Sequence, residues 1–246
     1  MDMRQALMLF TLAHALGYYY LSSFKPARKA VRLIPELLLY TLAVALVFSP
    51  VLDGNNYLYA LAIVLFHFIV APVCFAASRT RARYVVFILT EVVRMTGFTV
   101  MAFIYSVRWG AFEPWRDIRF LLMEYALDFN QVLSYAFAFV VLLRPVNIVV
   151  RSLLALFDGG DEAVQEEGGR RRLSVGPLVG IVERMFYFAM AVHGSWIAFA
   201  IVFFAKCALF CLAIRDDADY GQRLYIGSIL SAFSVIPVAF IARPFF

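Results

Sequence analysis

The chain has 246 residues, of which 63% are hydrophobic and only 16% are charged, and its mean hydropathy is +0.81. Water-soluble domains are about 45–50% apolar and about 25% charged, so this composition excludes an ordinary soluble protein. The net charge of +5 does not indicate a nucleic-acid partner, because the Lys and Arg residues form short clusters between apolar runs, as they do beside membrane helices.

Apolar segments near the ~20 residues that a membrane-spanning helix needs follow one another along the chain. They are 5–23, 33–52, 57–78, 84–107, 121–143, 176–193, 195–214 and 223–242. The sequence therefore predicts an all-α fold, a transmembrane helix bundle of about eight spans that forms a single domain over 1–246. A count of seven is the alternative if the first or the sixth segment enters the membrane without crossing it.

The first segment has the length of a signal-peptide core, but only Arg4 precedes it and no small-x-small cleavage site follows. We therefore expect a retained transmembrane helix. Basic residues mark the cytoplasmic side of a membrane protein, and here they concentrate after the first, third, fifth and seventh segments. They are Lys25, Arg28, Lys29, Arg32, Arg79, Arg81, Arg83, Arg144, Arg151, Arg170, Arg171, Arg172, Arg215 and Arg223. This distribution predicts a multi-pass protein of the cell membrane with both termini outside.

Two stretches between the fifth and sixth segments differ from the spans. Residues 145–157 are apolar but short and follow a proline break, which predicts an amphipathic helix at the membrane surface. Residues 158–169 are acidic and rich in glycine, which predicts a mobile cytoplasmic linker. No stretch between the spans is long enough for a soluble domain, so we expect the protein to act within or at the bilayer.

Opposite charges lie at matched depth in the hairpin of the sixth and seventh segments. Counted from a turn at Gly194, Glu183 is about 16 Å along one helix and Lys206 about 17 Å along the other. Charges inside a membrane usually pair and often mark a pathway. One interpretation is a buried Glu183–Lys206 pair, with Arg184 turned to another helix or a phosphate. The other is a polar core of these three residues that lines a pathway.

A second polar set, His14, His67, Glu91 and Arg94, is spread over the first, third and fourth segments. Glu91 and Arg94 share a helix face, and both are near enough to the cytoplasmic end to reach the headgroups. Convergence of His14, His67 and Glu91 without a cavity would favour chemistry. A polar cavity that reaches Glu183 and Lys206, without that convergence, would favour transport, and neither feature would leave a scaffold. His-x-x-x-His spacing is absent, and buried cysteines such as Cys207 behave mostly as small apolar residues, so we expect no metal or other cofactor.

The last segment carries a stripe of small residues, Gly227, Ser231 and Ser234, suited to close helix packing. Packing inside the bundle is the first interpretation of this stripe. A homo-oligomer formed through it is the alternative.

Three runs in the C-terminal half follow a recognisable order. They are Gly180-Ile181-Val182-Glu183-Arg184, Ala205-Lys206-Cys207-Ala208 and Tyr225-Ile226-Gly227-Ser228-Ile229-Leu230-Ser231. These runs resemble the Gly-x-x-Glu-Arg, Ala-Lys-Ser and Gly-Thr-Leu-Leu-Ser runs of a bacterial membrane family known as domain of unknown function 3307. The resemblance implies a polytopic membrane protein and no assigned activity.

The N-terminal half is similar to that family more loosely. His14, His67 and Glu91 stand at positions of its His-Leu-x-x-Asp, His-Phe-Leu-Ile-Asp and Asp-Gln-x-x-His motifs. Tyr18 and Ala71 replace two acids of those motifs, and Met95 stands where the last histidine would be. The complete set would resemble the ligand sphere of a metal-dependent membrane hydrolase, and its loss here argues against that activity.

Three hypotheses for the function follow from these patterns. The first is a non-enzymatic helical bundle (a small transporter, a channel or a membrane scaffold) with a polar core at Glu183, Arg184 and Lys206. The second is an intramembrane metal-dependent hydrolase that acts on a lipid or a lipid-linked phosphate. The third is an accessory subunit of a larger membrane complex. In each case the lipid bilayer is a partner and nucleic acid is not.

Overall fold

The computed structural model describes residues 2–21, 33–51, 56–77, 83–110, 112–157, 175–216 and 218–243. Within these ranges every regular element is helical, which confirms the all-α prediction. The predicted linker 158–169, the three arginines that follow it and the basic loops after the first and third segments lie outside the described residues.

The described part contains ten α-helices. They are α1 Asp2–His14, α2 Leu33–Phe48, α3 Asn56–Ala77, α4 Arg83–Arg108, α5 Arg116–Glu124, α6 Phe129–Leu143, α7 Pro145–Phe157, α8 Val175–Val192, α9 Trp196–Asp216 and α10 Ala218–Ala242. Helix α1 continues directly into a π-helical segment, Ala15–Leu21, and α2 ends in a 3-10 turn, Ser49–Val51.

Five stretches of the described residues are long and apolar enough to cross a membrane. They are Ile34–Val51, Asn56–Val73, Tyr84–Arg108, Phe129–Leu156 and Tyr225–Ala242, and Trp196–Phe210 is a shorter apolar helix. Large apolar side chains on these helices, among them Leu38, Ile69, Phe103 and Phe240, are exposed. Exposed apolar surface of this extent is unfavourable in water and is covered by lipid in a bilayer. The chain is therefore an integral membrane protein.

Helix packing divides the chain into two compact units, residues 1–141 and 142–244. The single domain over 1–246 stays a prediction. In the N-terminal unit, α1 packs against α2 and α4, and α3 packs against the same two helices. Helix α1 is the buried centre of this unit, because side chains on all its faces, including Met8, Phe10 and Ala13, are inaccessible to solvent. The neighbouring helices α2 and α4 cover it.

A glutamine side chain joins the start of α1 to the loop between α4 and α5. This residue is Gln5. Its Nε2 donates to the carbonyl oxygen of Phe112 at 2.8 Å and to Oδ1 of Asn130 at 2.9 Å. Its Oε1 accepts a hydrogen bond from the Phe112 N–H at 2.7 Å. The same loop is held to the 3-10 turn after α2 by the Trp115 N–H, which donates to the Pro50 carbonyl at 2.9 Å. Gln5 thus satisfies both backbone polar groups of a buried residue, Phe112.

The fifth predicted span begins too early. Residues 121–124 belong to the amphipathic helix α5, and the chain then turns through Ala126, which has φ +52°. Helix α6 begins only at Phe129, because Asp128 caps it: Oδ2 of Asp128 accepts from the N–H groups of Asn130 and Gln131. A single residue, Arg144, separates α6 from α7, so residues 145–157 are helical as predicted.

In the C-terminal unit, α10 packs against α7, α8 and α9. The chain turns between α8 and α9 at Gly194, the predicted position, where φ is +73°. The Ser195 N–H donates to the Met190 carbonyl and the Gly194 N–H to the Ala191 carbonyl. This is a Schellman motif, which requires a left-handed residue at the helix end and therefore favours glycine.

Candidate functional site

His14, His67, Glu91 and Arg94 converge in the interior of the N-terminal unit, and we call these four residues the N-terminal polar cluster. They come from the end of α1, the middle of α3 and the cytoplasmic half predicted for α4. Their exposed fractions are 1%, 6%, 7% and 0%. The sequence-based expectation that Glu91 and Arg94 reach the headgroups is therefore wrong, because both side chains point into the unit.

His14 is the centre of this cluster. Its Nδ1 lies 3.2 Å from the Tyr40 hydroxyl, and its Nε2 lies 3.5 Å from Oε2 of Glu91. When Nδ1 accepts the tyrosine proton, the proton on Nε2 faces the carboxylate. One imidazole thus connects α1, α2 and α4 through groups that gain and lose protons.

The Glu91 carboxylate has further partners of its own. Arg94, three residues later on α4, pairs with its Oε1. The hydroxyl of Tyr19 hydrogen-bonds the same carboxylate. The Arg94 guanidinium also lies 4.3 Å from the centre of the Tyr18 ring, a cation–π contact. Glu91 and Arg94 therefore balance each other's charge in a site that excludes water.

The π-helical segment supplies the two tyrosines. Its wider turn brings Tyr18 and Tyr19 beside His14, at ring-centre distances of 5.3 and 5.9 Å. Gly17 in this segment contacts Tyr40 so closely that an added Cβ would lie 2.6 Å from Cδ2 of that ring. π-Helical turns occur frequently at functional sites. Here the segment forms one wall of the cluster.

His67 is linked to His14 through Tyr40. The imidazole of His67 stacks on the Tyr40 ring with 3.7 Å between centres and an angle of 8°, and its centre is 5.8 Å from that of His14. Within the described ranges, Nδ1 of His67 is buried and has no hydrogen-bond partner. Tyr40 therefore lies between the two histidines, with its hydroxyl on one and its ring face on the other.

The arrangement of the cluster does not fit a metal ion. Both ring nitrogens of His14 already face Tyr40 and Glu91, and His67 lies flat on a tyrosine ring. Among the described residues, no group of three His, Cys, Asp or Glu side chains has a metal-binding arrangement. His193 is exposed at the turn between α8 and α9, away from any such group.

Glu183 and Lys206 form an ion pair between α8 and α9. Their side chains are 28% and 21% exposed, so the pair is only partly buried. The Lys206 ammonium also lies 5.3 Å from the centre of the Phe210 ring. The pair joins the two arms of the hairpin.

Arg184 lies apart from that pair and is 2% exposed. Its Nη1 donates to the Ser231 hydroxyl of α10 at 3.3 Å. The small-residue stripe of α10 is thus occupied inside the unit: Ser231 contacts Arg184, and an added Cβ at Gly227 would lie 3.4 Å from Leu154 of α7.

Compared with family models, with curated proteins and with solved structures, the chain gives no match. The similarity to domain of unknown function 3307 therefore rests on the short motifs alone, and membership stays a prediction. The sequence identified all four ionisable residues of the N-terminal polar cluster. It missed Tyr18, Tyr19 and Tyr40, although a tyrosine inside an apolar span is itself a sign of a buried hydroxyl that needs a partner.

Proposed function

We propose that this protein is a small proton-linked transporter of the cell membrane, with about eight spans and both termini outside. The five apolar stretches and the lipid-like exposure of their side chains support the membrane assignment. The basic residues of the sequence support the orientation. Similarity of three C-terminal runs supports a relationship to the bacterial family named above.

One observation carries the assignment of a proton-linked activity. His14 bridges the Tyr40 hydroxyl and the Glu91 carboxylate inside the N-terminal unit. Chains of His, Glu and other ionisable groups within membrane segments are typical of proton relays in pumps and transporters. The bridge spans three helices, so a small shift between them changes the 3.5 Å separation of Nε2 and Oε2 and with it the transfer of a proton.

The two partners of Glu91 have a different role in this proposal. Arg94 and Tyr19 hold the carboxylate in place and stabilise its charge. Glu183 and Lys206 hold the C-terminal hairpin together. In their second interpretation, Glu183 and Lys206 line a pathway together with Arg184. This interpretation requires that the ion pair between Glu183 and Lys206 break.

Proton flux into proteoliposomes tests the proposal. Vesicles that contain a trapped pH-sensitive dye are given a potassium diffusion potential, and internal acidification is followed with wild type, His14→Gln and Glu91→Gln. Both variants are expected to lose most of the wild-type flux. His193→Gln is the matched control, because it makes the same change at an exposed turn. Wild-type vesicles that acidify no faster than empty ones would refute the proposal.

The alternative is the metal-dependent hydrolase that acts on a lipid or a lipid-linked phosphate. The convergence of His14, His67 and Glu91 favours chemistry at this place. The stacking of His67 on Tyr40 and the hydrogen bond between Nδ1 of His14 and the Tyr40 hydroxyl argue against a bound metal. Metal analysis of the purified protein separates the two. A stoichiometric metal that disappears in His67→Ala would support the hydrolase.

Partners remain open to the same kind of test. A scaffold or accessory subunit of a larger complex predicts co-purification with that complex in mild detergent. A homo-oligomer through Gly227, Ser231 and Ser234 competes with contacts that this stripe already makes to α7 and α8. Cross-linking in native membranes, compared between wild type and Gly227→Leu, distinguishes an oligomer from internal packing.

A further inference from the structure

An open cleft lies along α5 and the residues that lead into it. Its volume is about 820 Å³, within the range of about 300–1,000 Å³ that is typical of small-molecule sites. Its walls include the side chains of Glu113, Trp115, Arg116, Arg119 and Phe120. One short stretch of chain thus places two guanidiniums, a carboxylate and two aromatic rings around one open space.

The position of the cleft points to the lipid headgroups. Helix α4 ends at Arg108 and α6 begins at Phe129, and both helices belong to stretches that are long and apolar enough to cross a membrane. The segment between them therefore lies at a membrane surface, where amphipathic helices bind. Trp115, Phe120 and Met123 of the cleft are exposed, and tryptophan is enriched where a protein meets the headgroups. A ligand of this cleft is therefore a molecule of the membrane surface.

Arg116 is an exposed cation that has no acidic partner among the described residues. Its guanidinium contacts the ring of Phe120, at 5.4 Å from the ring centre. Parallel N–H groups of a guanidinium bind two oxygens of a phosphate at once. Arg116 is therefore both accessible and chemically suited to a phosphate in the cleft.

Glu113 adds a negative charge to the same cleft. Its Oε2 accepts a hydrogen bond from Nη2 of Arg119 at 2.6 Å, but the two side chains are 76% and 47% exposed. An ion pair this exposed contributes little to stability, and a carboxylate accepts about four hydrogen bonds. Glu113 can therefore also accept hydrogen bonds from a bound cation. Trp115, two residues later, lines the cleft as well, and an aromatic ring attracts the same cation.

The charges around the cleft do not match a simple attraction to anionic lipids. Residues 113–124 contain three carboxylates and two guanidiniums, whereas segments that select anionic lipids carry clusters of about four to eight Lys and Arg residues. Positive and negative groups stand side by side here. This pattern matches a headgroup that itself carries both charges.

We propose that the cleft binds the headgroup of a phospholipid that carries a phosphate and a primary ammonium group, as phosphatidylethanolamine does. Arg116 binds the phosphate, and Glu113 accepts hydrogen bonds from the ammonium beside Trp115. A primary ammonium has three N–H donors, whereas the quaternary ammonium of a choline headgroup has none. The site shares no residue with the N-terminal polar cluster, so headgroup binding and proton flux are tested separately.

Quenching of Trp115 fluorescence tests the proposal. Trp109→Phe and Trp196→Phe leave Trp115 as the remaining tryptophan of the full chain. The protein in a neutral detergent is titrated with phospholipids that have identical brominated acyl chains and an ethanolamine, a choline or a glycerol headgroup. The ethanolamine lipid is expected to reach half-maximal quenching at a mole fraction about two- to fivefold lower than the other two, the effect of an exposed ion pair. Quenching by choline or glycerol lipid at an equal or lower mole fraction, or no quenching at all, would overturn the proposal.

Variants at exposed positions locate the two charges of the headgroup. Glu113→Gln is expected to abolish the preference for ethanolamine, and Arg116→Gln is expected to raise the half-quenching mole fraction of all three lipids, because each contains a phosphate. Glu124→Gln and Arg108→Gln make the same changes at exposed positions outside the cleft and should bind as the parent does. An undiminished ethanolamine preference in Glu113→Gln, or undiminished quenching in Arg116→Gln, would likewise overturn the proposal.

Discussion

Nε2 of His14 lies 3.5 Å from Oε2 of Glu91, while Nδ1 of the same ring meets the Tyr40 hydroxyl at 3.2 Å. The two residues come from helices that are far apart in sequence, and neither is exposed. A buried histidine with only a packing role needs one hydrogen bond for its polar nitrogens. His14 instead lies between the Tyr40 hydroxyl, a proton donor, and the Glu91 carboxylate, a proton acceptor.

Tyr40→Phe removes the hydroxyl of Tyr40 and keeps its ring, so it tests the role of the hydroxyl alone. The ring can still stack on His67, and loss of one neutral hydrogen bond reduces stability by about 0.5–1.5 kcal/mol, so the fold is expected to persist. Proton flux is expected to fall, because His14 loses its second partner. Tyr105→Phe is the matched control: its hydroxyl also donates a hydrogen bond, to Oδ1 of Asn56 at 2.9 Å, outside the cluster. Equal flux in the two variants would contradict a relay through Tyr40.

Gln5→Leu removes the side chain that satisfies Phe112. The N–H and carbonyl of that residue would then be buried without partners, at about 1–3 kcal/mol for each group. We expect a marked fall in the temperature at which the detergent-solubilised protein loses its monodisperse peak in size-exclusion chromatography. Asn130→Ala removes only the third hydrogen bond of Gln5 and should have the smaller effect. The reverse order would show that the clamp on Phe112 contributes little.

Gly17→Ala tests the close approach between the π-helical segment and α2. The added Cβ would lie 2.6 Å from a Tyr40 ring carbon, so the ring must move and its contacts to both histidines weaken. Lower folded yield and lower proton flux are both expected. Gly110→Ala is the comparison, because no atom lies within 4 Å there and only the positive φ of +79° opposes the change. Strain of that kind is about 1–2 kcal/mol, and flux should be unaffected.

The Glu183–Lys206 pair predicts a characteristic order of variants. Glu183→Ala or Lys206→Ala leaves one partly buried charge without its partner, and the double variant leaves none. Each single change should therefore lower folded yield more than the double change. The loss should lie between the ~1 kcal/mol of an exposed pair and the ~3–5 kcal/mol of a buried one. Glu113→Ala, which breaks a well-exposed pair with Arg119, is expected to be silent. Silent single variants at Glu183 and Lys206 would remove the argument for a structural pair.

Helix α5 is expected to lie on the membrane surface. None of its residues is buried by the protein, and Phe120, Leu121 and Met123 are exposed. The stretches on either side of it, which end at Arg108 and begin at Phe129, are long and apolar enough to span a membrane, so α5 stays at the headgroup level where amphipathic helices bind. In a variant that keeps only Trp115 of the three tryptophans, brominated lipids should quench its fluorescence, and Phe120→Asp should reduce the quenching. Fluorescence insensitive to brominated lipids would place α5 in water.

Composition and apolar periodicity were sufficient to predict an all-α membrane protein and the turn at Gly194, because these depend on local sequence. The start of α6 was missed for a local reason as well: Asp128 is a helix cap inside an otherwise apolar run, and its signal was overlooked. The first segment shows a real limit. An apolar helix surface suits lipid and protein interior equally, and only tertiary packing shows that the protein itself covers α1.

In the candidate site too, the features that depend on local sequence could be predicted and those that depend on tertiary packing could not. Ionisable residues in apolar spans stand out in a sequence, so His14, His67, Glu91 and Arg94 were found. Their geometry depends on the π-helical segment and on the fit of Gly17 against Tyr40, a contact between separate elements. No local pattern specifies such a contact. The burial of Arg184 against Ser231 of α10 likewise depends on packing between helices, which the sequence does not show.

The hydrogen bonds between Gln5 and Phe112 connect positions 107 residues apart. A ribosome adds about 5–20 residues per second, so α1 is synthesised about 5–20 s before its clamp exists. For most of that time the buried centre of the N-terminal unit has neither Phe112 nor the complete α4 beside it. During biogenesis, α1 is therefore synthesised before the residues that cover it. Slowing translation between α1 and α4 should reduce the yield of folded protein more than slowing it after α5.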